Sequence, residues 1–200
     1  MIKIGVTGGI GSGKSVVSSL LAMSGIPVFT ADDESKHLTD TSTEVQKKLK
    51  SLFGDDIYIN ETLDRRRLAS LIFADNTLLK KANSIIHPVV REVFRKWVKE
   101  QTSGYCIMES AILFESGFDK EVDIILMIYA PVEVRMTRVM QRDGMTEAEV
   151  MKRMNRQMPD ELKRKQSDFV IINDGVQALI PQIEEFIKFL PDRSITNSLV

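Results

Sequence analysis

The chain has 200 residues, 43% hydrophobic and 28% charged, a composition that is ordinary for one globular α/β domain with an insertion. Its formal net charge of −1 gives no electrostatic reason to expect binding to nucleic acid or to an anionic membrane. The longest apolar run, Ile124 to Tyr129, is far shorter than the ~18 residues of a membrane span, and the single Cys106 excludes an internal disulfide. We therefore expect a cytoplasmic protein that binds neither nucleic acid nor membrane.

The first predicted strand, Ile2–Thr7, leads directly into a glycine-rich segment and then into a predicted helix, Lys14–Met23. The segment matches the complete phosphate-loop pattern G-x-x-x-x-G-K-[ST] and reads Gly8-Gly9-Ile10-Gly11-Ser12-Gly13-Lys14-Ser15. Glycines let successive backbone N–H groups turn toward phosphate oxygens, and the helix adds the positive end of its dipole. The pattern indicates a nucleotide di- or triphosphate as the ligand.

Two residues of this loop have specific expected roles. Lys14 would reach the terminal phosphates, and the hydroxyl of Ser15 would ligate Mg²⁺. Nucleotide binding as a whole is predicted for Gly9, Ile10, Gly11, Ser12, Gly13, Lys14, Ser15 and Val16.

Four further strands are predicted along the chain. They are Pro27–Thr30, Tyr105–Glu109, Asp123–Ala130 and Asp168–Asn173. Most are continuous apolar runs, which is typical of parallel strands covered on both faces. Helices are predicted between them, including Val132–Arg142 and Val176–Leu190. The alternation predicts an α/β fold with a doubly wound, five-stranded parallel sheet, and the nucleotide should lie at the carboxyl ends of the strands.

Two segments do not fit a minimal sheet. Residues 33–103 have no strong strand signal but contain helix-like pieces at Thr43–Phe53, Asp64–Ala74 and Leu78–Lys99, so we predict a helical insertion. Residues 141–166 are rich in arginine and lysine, which indicates either a solvated pair of helices or a lid that closes over a triphosphate. The nucleotide-binding core would then comprise 1–32, 104–140 and 167–191.

Other classes of nucleotide-binding protein fit less well. A GTPase lacks support because neither Asn-Lys-x-Asp nor Asp-x-x-Gly occurs. A dinucleotide-binding G-x-G-x-x-G starts at Gly9 but has Lys14 in its last position. A motor ATPase would place an aspartate after the apolar strand that instead runs into Tyr129-Ala130-Pro131. A small-molecule kinase remains, with acids at other strand ends and arginines from a lid.

Acidic residues follow two of the predicted strands. Asp32 and Asp33 follow the second strand, which lies beside the first if the strand order is the common one. Asp32 could accept the proton of an attacking hydroxyl, or either acid could cap the next helix. Because phosphoryl transfer has a loose transition state, positioning matters more here than base strength. Glu109 could hold a magnesium-bound water or a substrate hydroxyl, or it could pair with a neighbouring base.

Several stretches together resemble the dephospho-coenzyme A kinase family. The shared motifs, from Ile2 to about Gly175, are Thr7-Gly8-Gly9-Ile10-Gly11-Ser12-Gly13-Lys14, Ala31-Asp32, Leu63-Asp64-Arg65-Arg66, Ile86-His87-Pro88, Leu113-Phe114-Glu115, Arg138, Gln141-Arg142, Arg156-Gln157-Met158-Pro159 and Asn173-Asp174-Gly175. The resemblance departs from the family pattern at Thr30, where the family has the first acid of Asp-Ala-Asp, and at Ala111, where it has proline.

The resemblance implies transfer of the γ-phosphate of ATP, with Mg²⁺, to the ribose 3′-hydroxyl of dephospho-coenzyme A. Asp32 inherits the role of base, and residues 33–103 would receive the acceptor. Arg65 becomes a candidate contact for the acceptor or else forms a surface ion pair. His87 is either a further contact or a core histidine ahead of Pro88, which is expected to break the local helix.

Two arginines and two glutamates complete the implied site. Arg138 and Arg142 lie four residues apart, hence on one helix face, and could neutralise charge on the transferring phosphoryl group. Whether Glu109 or Glu115 touches the metal is left open. Two other functions remain to be distinguished: a nucleoside- or sugar-type kinase, and a non-catalytic regulator that uses the loop to sense nucleotide.

Overall fold

The computed structural model describes residues 1–74 and 76–191, with the backbone alone described at 73, 74 and 76. The strands are β1 (Ile2–Thr7), β2 (Val28–Thr30), β3 (Tyr58–Ile59), β4 (Thr62–Leu63), β5 (Tyr105–Glu109), β6 (Ile124–Tyr129) and β7 (Phe169–Ile172). The α-helices are α1 (Lys14–Met23), α2 (Ala31–Thr41), α3 (Thr43–Phe53), α4 (Arg65–Ala74), α5 (Asn76–Glu100), α6 (Val132–Asp143), α7 (Glu147–Met154), α8 (Asp160–Lys165) and α9 (Leu179–Phe189). Along this described part of the chain, no helix has the length and apolar character needed to span a membrane.

The chain divides into two compact units. The first contains residues 1–30 and the described residues from 101 onward, and the second contains residues 31–100. The second unit differs from the insertion predicted at 33–103 by two residues at its start and three at its end.

The first unit is built on a five-stranded parallel sheet with the order β2-β5-β1-β6-β7. Ile4, Ile107, Leu126 and Ile171, from four of its strands, are fully buried. They pack in one core with residues of α1 and α9, among them Leu21. Burial on both faces explains the continuous apolar runs, and the predicted parallel sheet is confirmed.

The strand order does not meet the condition under which β2 would lie beside β1. Strand β5 lies between β1 and β2, so the strand that precedes Asp32 is not the neighbour of the strand that feeds the phosphate loop. The register places Val6 opposite Glu109 and Glu109 opposite Thr30. Glu109 therefore ends the strand next to β1. The apolar runs of β2 and β5 suit either position, so composition alone cannot order them.

In the second unit, helices α3, α4 and α5 contribute to one core, which includes Val45, Leu49 and Ile57, and helix α2 packs against α3 and α5. It also contains a small antiparallel hairpin, β3–β4, that the sequence reading missed. Each strand has only two residues, and the turn places Asn60 and Glu61 at positive φ values of 48° and 63°. So short a hairpin gives no alternating pattern to recognise.

Helix α5 runs through Pro88 from Asn76 to Glu100. The expectation that Pro88 breaks the local helix is therefore wrong. Proline removes one backbone hydrogen bond, and the tertiary packing of a 25-residue amphipathic helix offsets that loss. Val90 and Phe94, on the carboxyl-terminal side of the proline, are almost completely buried.

Candidate active site

The phosphate loop connects β1 to α1, and its glycines are required by its geometry. Gly13 lies immediately before α1 with φ of 89°, a left-handed conformation that favours glycine. A Cβ atom at Gly13 would overlap the side-chain amide of Asn173, and one at Gly8 would overlap the carbonyl oxygen of Ile128. The loop therefore needs glycine at these positions both for conformation and for space.

The inner side of the loop fits a ligand rich in acceptor oxygens. Among the described residues, no side chain caps the N-terminus of α1, whose first turn contains no acid. The hydroxyls of Thr7 and Ser12 are fully buried and find no hydrogen-bond partner within residues 1–74 and 76–191. Lys14 Nζ lies 3.1 Å from the Gly8 oxygen and 3.4 Å from the Gly9 oxygen. The uncapped N-terminus of α1 and the Lys14 ammonium are the two features that suit a polyphosphate.

Side chains from distant segments hold the outer side of the loop. Asn173 Nδ2, in the segment after β7, donates to the Ser12 carbonyl oxygen at 2.8 Å. Arg138, on α6, donates to the Gly11 oxygen at 3.5 Å and to the Asn173 oxygen at 2.9 Å. In this structure the guanidinium of Arg138 is therefore bound to the loop and to the Asn173 segment.

Two further residues contact this loop, and no role was predicted for them from the sequence. Arg135 donates to the Ile10 oxygen at 3.4 Å, and Gln157 accepts from the Ile10 N–H at 2.8 Å. Arg135 lies three residues before Arg138 on the same helix, and this spacing is the one signal that could have indicated it. Gln157 belongs to a motif shared with the family, but the motif predicted no specific role for it.

Arg142 has different surroundings from Arg138. Its side chain is 63% exposed and forms two hydrogen bonds to the neighbouring Asp143, at 2.7 and 3.1 Å. Arg138 and Arg142 therefore share no hydrogen-bond partner among these contacts. Nε and Nη2 of Arg142 can bind a ligand only after they leave Asp143, an exchange that an exposed ion pair permits at low energetic cost.

The predicted base, Asp32, is the second residue of α2 and follows the end of β2. Because α2 begins at Ala31, Asp32 lies inside its first turn and does not occupy the position that precedes the helix. Asp32 is partly buried. The neighbouring Asp33 is 70% exposed and forms an ion pair with Lys36 at 2.7 Å.

The two glutamates differ in their partners. Glu109, partly buried, ends β5 between β1 and β2. Glu115 accepts a hydrogen bond from the Met158 N–H at 2.6 Å and pairs with the fully buried Lys163 at 3.2 Å. Protein donors thus occupy Oε1 of Glu115. Within residues 1–74 and 76–191, no cluster of three His, Cys, Asp or Glu side chains is arranged to hold a metal ion.

The acceptor candidates Arg65 and His87 both lie in the second unit. Arg65 pairs with Asp40 at 2.6 Å, and the Leu63 N–H donates to the same carboxylate at 3.0 Å. Burial alone would raise the pKa of Asp40, but the hydrogen bonds from Arg65 and Leu63 outweigh it and hold the pKa below its usual value. The ion pair that was the alternative for Arg65 is therefore present, with 44% of the arginine side chain exposed.

His87 is held neutral by its surroundings. Burial, and then the positive charge of Arg91, lowers its pKa from 6.5 to about 4. Between these pH values His87 binds a proton in the unfolded chain but not in the folded chain, so its contribution to stability falls as pH decreases from 6.5 to about 4. We expect the melting temperature of the His87→Gln variant to fall less steeply across this window. Equal slopes for His87→Gln and wild type would contradict the assignment.

An open parallel sheet whose central strand feeds a glycine-rich phosphate loop, with arginines on the helix after β6, defines a P-loop kinase. The fold agrees with a shikimate kinase structure from Acinetobacter baumannii, with a TM-score of 0.58, 17% identity and coverage of 100% of this chain and 96% of that one. A family model described as dephospho-CoA kinase matches residues 2–178. The chain belongs to the dephospho-CoA kinase family.

Individual relatives agree with this membership. A dephospho-CoA kinase from Bacteroides fragilis is 49% identical over 190 residues, covering 94% of this chain and 93% of the relative. One from Porphyromonas gingivalis is 42% identical and covers 94% of each chain. A crystal structure from Thermus thermophilus is similar with a TM-score of 0.81 and 35% identity, over 94% of this chain and 95% of that one.

Proposed function

We propose that this chain transfers the γ-phosphoryl group of ATP to the ribose 3′-hydroxyl of dephospho-coenzyme A, giving coenzyme A and ADP, the last step of coenzyme A biosynthesis. The observation that carries this proposal is the register at the carboxyl edge of the sheet. Val6, just before the phosphate loop, is level with Glu109, which is level with Thr30, two residues before Asp32. Glu109 thus ends the strand beside β1, and Asp32 follows the end of β2, the next strand across the sheet.

The phosphate loop performs the nucleotide half of the reaction. Its N–H groups and the amino end of α1 bind phosphate oxygens, and Lys14 exchanges its contacts with the Gly8 and Gly9 carbonyls for the terminal phosphates. The exposed Ser15 hydroxyl is a hard oxygen ligand of the kind that Mg²⁺ accepts beside phosphate and water. Mg²⁺, when bound there, would neutralise negative charge on the phosphates.

Asp32 performs the acceptor half of the reaction. Its carboxylate accepts the proton of the ribose 3′-hydroxyl and orients that oxygen toward the phosphoryl group. The transition state is loose, so orientation contributes more than base strength. Glu109 assists by binding a substrate hydroxyl or a metal-bound water, and Arg65 and His87 bind the acceptor from the second unit. We also assign the enzyme to the cytoplasm, where its single, fully buried cysteine suits a reducing environment.

The test is ADP formation from Mg-ATP with and without dephospho-coenzyme A, beside a panel of nucleosides, sugars and shikimate at equal concentration. The proposal predicts rapid ADP formation with dephospho-coenzyme A and slow formation with the other acceptors. Preference for a nucleoside or a sugar would indicate the other kinase class. Binding of ATP without ADP formation under any condition would indicate a regulator.

Arg142 provides a sharper test of the lid. Arg142→Ala should lower kcat by about 10³-fold while the KM for ATP changes about threefold or less, because this arginine is proposed to act on charge that develops during transfer. Arg67→Ala is the matched control, since Arg67 is also about half exposed and pairs with a surface aspartate. A large rise in KM with little change in kcat would contradict a role in the transition state.

A further inference from the structure

We propose that Arg135 and Gln157 are positioning residues that hold the phosphate loop in its nucleotide-binding conformation, and that Asp160 holds Arg135 in turn. The inference rests on the proposed function, because it concerns how the same loop binds ATP. All three residues lie in the first unit, and none of them had a predicted role in the site.

The loop needs external support because of its own composition. Gly8, Gly11 and Gly13 have φ values of 150°, 80° and 89°. A glycine loses more conformational freedom on ordering than any other residue, so a loop rich in glycine is costly to fix in one conformation. Contacts that fix it before the ligand arrives reduce the entropy that binding must supply.

Three successive carbonyl groups of the loop accept hydrogen bonds from side chains outside it. The Ile10, Gly11 and Ser12 oxygens accept from Arg135, Arg138 and Asn173 respectively. In a trans peptide the carbonyl group of one residue and the N–H of the next point in opposite directions. Binding the Ile10 and Ser12 carbonyls on the outer side therefore turns the N–H groups of Gly11 and Gly13 away from that side. These amides are among those predicted to bind phosphate.

Ile10 is held at both of its backbone polar groups. Its N–H donates to Gln157 Oε1 at 2.8 Å, and its oxygen accepts from Arg135 Nη1 at 3.4 Å. Because each contact restricts a different peptide plane, the two together restrict both backbone dihedral angles of Ile10. The conformation at the centre of the loop is thus set by residues about 125 and 147 positions away in the chain.

Arg135 is suited to this role because its guanidinium is fixed in three directions. The residue is 5% exposed. Its Nε donates to the Ala130 oxygen at 3.1 Å, Nη1 donates to Ile10, and Nη2 forms an ion pair with Asp160 Oδ2. The planar guanidinium supplies donors at fixed angles, whereas a lysine ammonium cannot reach three such acceptors at once.

The segment that contains Gln157 and Asp160 is itself anchored. Gln157 Nε2 and the buried Lys163 Nζ both donate to the Ala111 oxygen, at 3.4 and 2.8 Å. Lys163 also pairs with Glu115, whose carboxylate accepts from the Met158 N–H. Residues 157–163 therefore connect the phosphate loop to the turn that follows β5. Because these residues are held in place, the groups that contact the loop have fixed positions, which solvent molecules would not have.

The test compares Arg135→Lys and Gln157→Leu with wild type, and uses Arg67→Lys as the control, since Arg67 forms an arginine–aspartate pair within the second unit. Calorimetry gives the Kd for Mg-ADP, and steady-state kinetics give separate KM values for ATP and dephospho-coenzyme A. We expect the Kd for Mg-ADP to rise about tenfold in each variant, because each substitution removes one charge-assisted or buried hydrogen bond that holds the loop. The KM for dephospho-coenzyme A and all constants of Arg67→Lys should stay within about twofold.

A charge-swapped double variant, Arg135→Asp with Asp160→Arg, separates loop positioning from simple structural support. It retains an opposite-charge pair but loses the donor to Ile10. We expect its melting temperature to be closer to wild type than that of the single Arg135→Asp variant, while the Kd for Mg-ADP stays raised. Amide hydrogen exchange of residues 8–15 without nucleotide should be faster in Arg135→Lys than in wild type.

The inference would be overturned if the double variant regained the wild-type Kd together with the melting temperature. A wild-type Kd in both Arg135→Lys and Gln157→Leu would also overturn it. Its failure is distinguishable from failure of the proposed function, because Mg-ADP binding is measured without acceptor. Normal nucleotide binding in wild type with no transfer to dephospho-coenzyme A would refute the function and leave the inference on the loop standing.

Discussion

Asp32→Asn should bind ATP within about twofold of wild type and lose turnover by about 10²- to 10⁴-fold, the usual contribution of a positioned proton acceptor. Asparagine keeps the shape of the side chain and its place in the first turn of α2, but an amide cannot take the hydroxyl proton. The measurements are the Kd for Mg-ATP and kcat at saturating dephospho-coenzyme A.

Asp33→Asn is the matched control for this variant. Asp33 is the next residue of the same helical turn and pairs with Lys36 on the surface. It should retain nearly all turnover. A wild-type kcat for Asp32→Asn, or an equal loss in both variants, would remove Asp32 from the role of base.

Lys14→Ala should lower kcat/KM for ATP by about 10²- to 10³-fold with any acceptor, because it removes a charged group that stabilises the transferring phosphoryl. The same substitution removes the contacts of Nζ with the Gly8 and Gly9 oxygens, which stabilise the free enzyme by about 1 kcal/mol. The melting temperature without nucleotide should therefore change little, while the stabilisation by Mg-ADP is largely lost.

The control for this prediction is Lys48→Ala, which removes an exposed lysine paired with Glu44 one helical turn away. It should leave both kinetic constants and the response to Mg-ADP unchanged. An undiminished kcat/KM in Lys14→Ala would mean that the loop does not hold the phosphates in the manner proposed.

Local chemistry made much of the first unit predictable. Strands β1 and β5 and helix α1 have the predicted bounds, since each is an apolar or amphipathic run bordered by glycine or polar residues. The phosphate loop was predictable for the same reason: its glycines, Lys14 and Ser15 are contiguous, and their chemistry does not depend on the rest of the fold.

Features that depend on long-range packing were not predictable. The place of β5 between β1 and β2 follows from tertiary contacts, as does the continuation of α5 through Pro88. Arg135 was missed because its partners, Ile10 and Asp160, lie far from it in the chain. A single sequence records no such pairing. It therefore indicates which residues form the loop but not which residues hold it.

The position of the phosphoryl group in the product tests most directly whether this chain phosphorylates the ribose 3′-hydroxyl of dephospho-coenzyme A. After incubation with Mg-ATP and dephospho-coenzyme A, phosphorus–proton NMR shows which ribose carbon carries the new monoester. Our account predicts a single new phosphate on the 3′ oxygen, one ADP for each product molecule, and little product from Asp32→Asn. A phosphoryl group at another position, or ADP formed equally fast without acceptor, would contradict it.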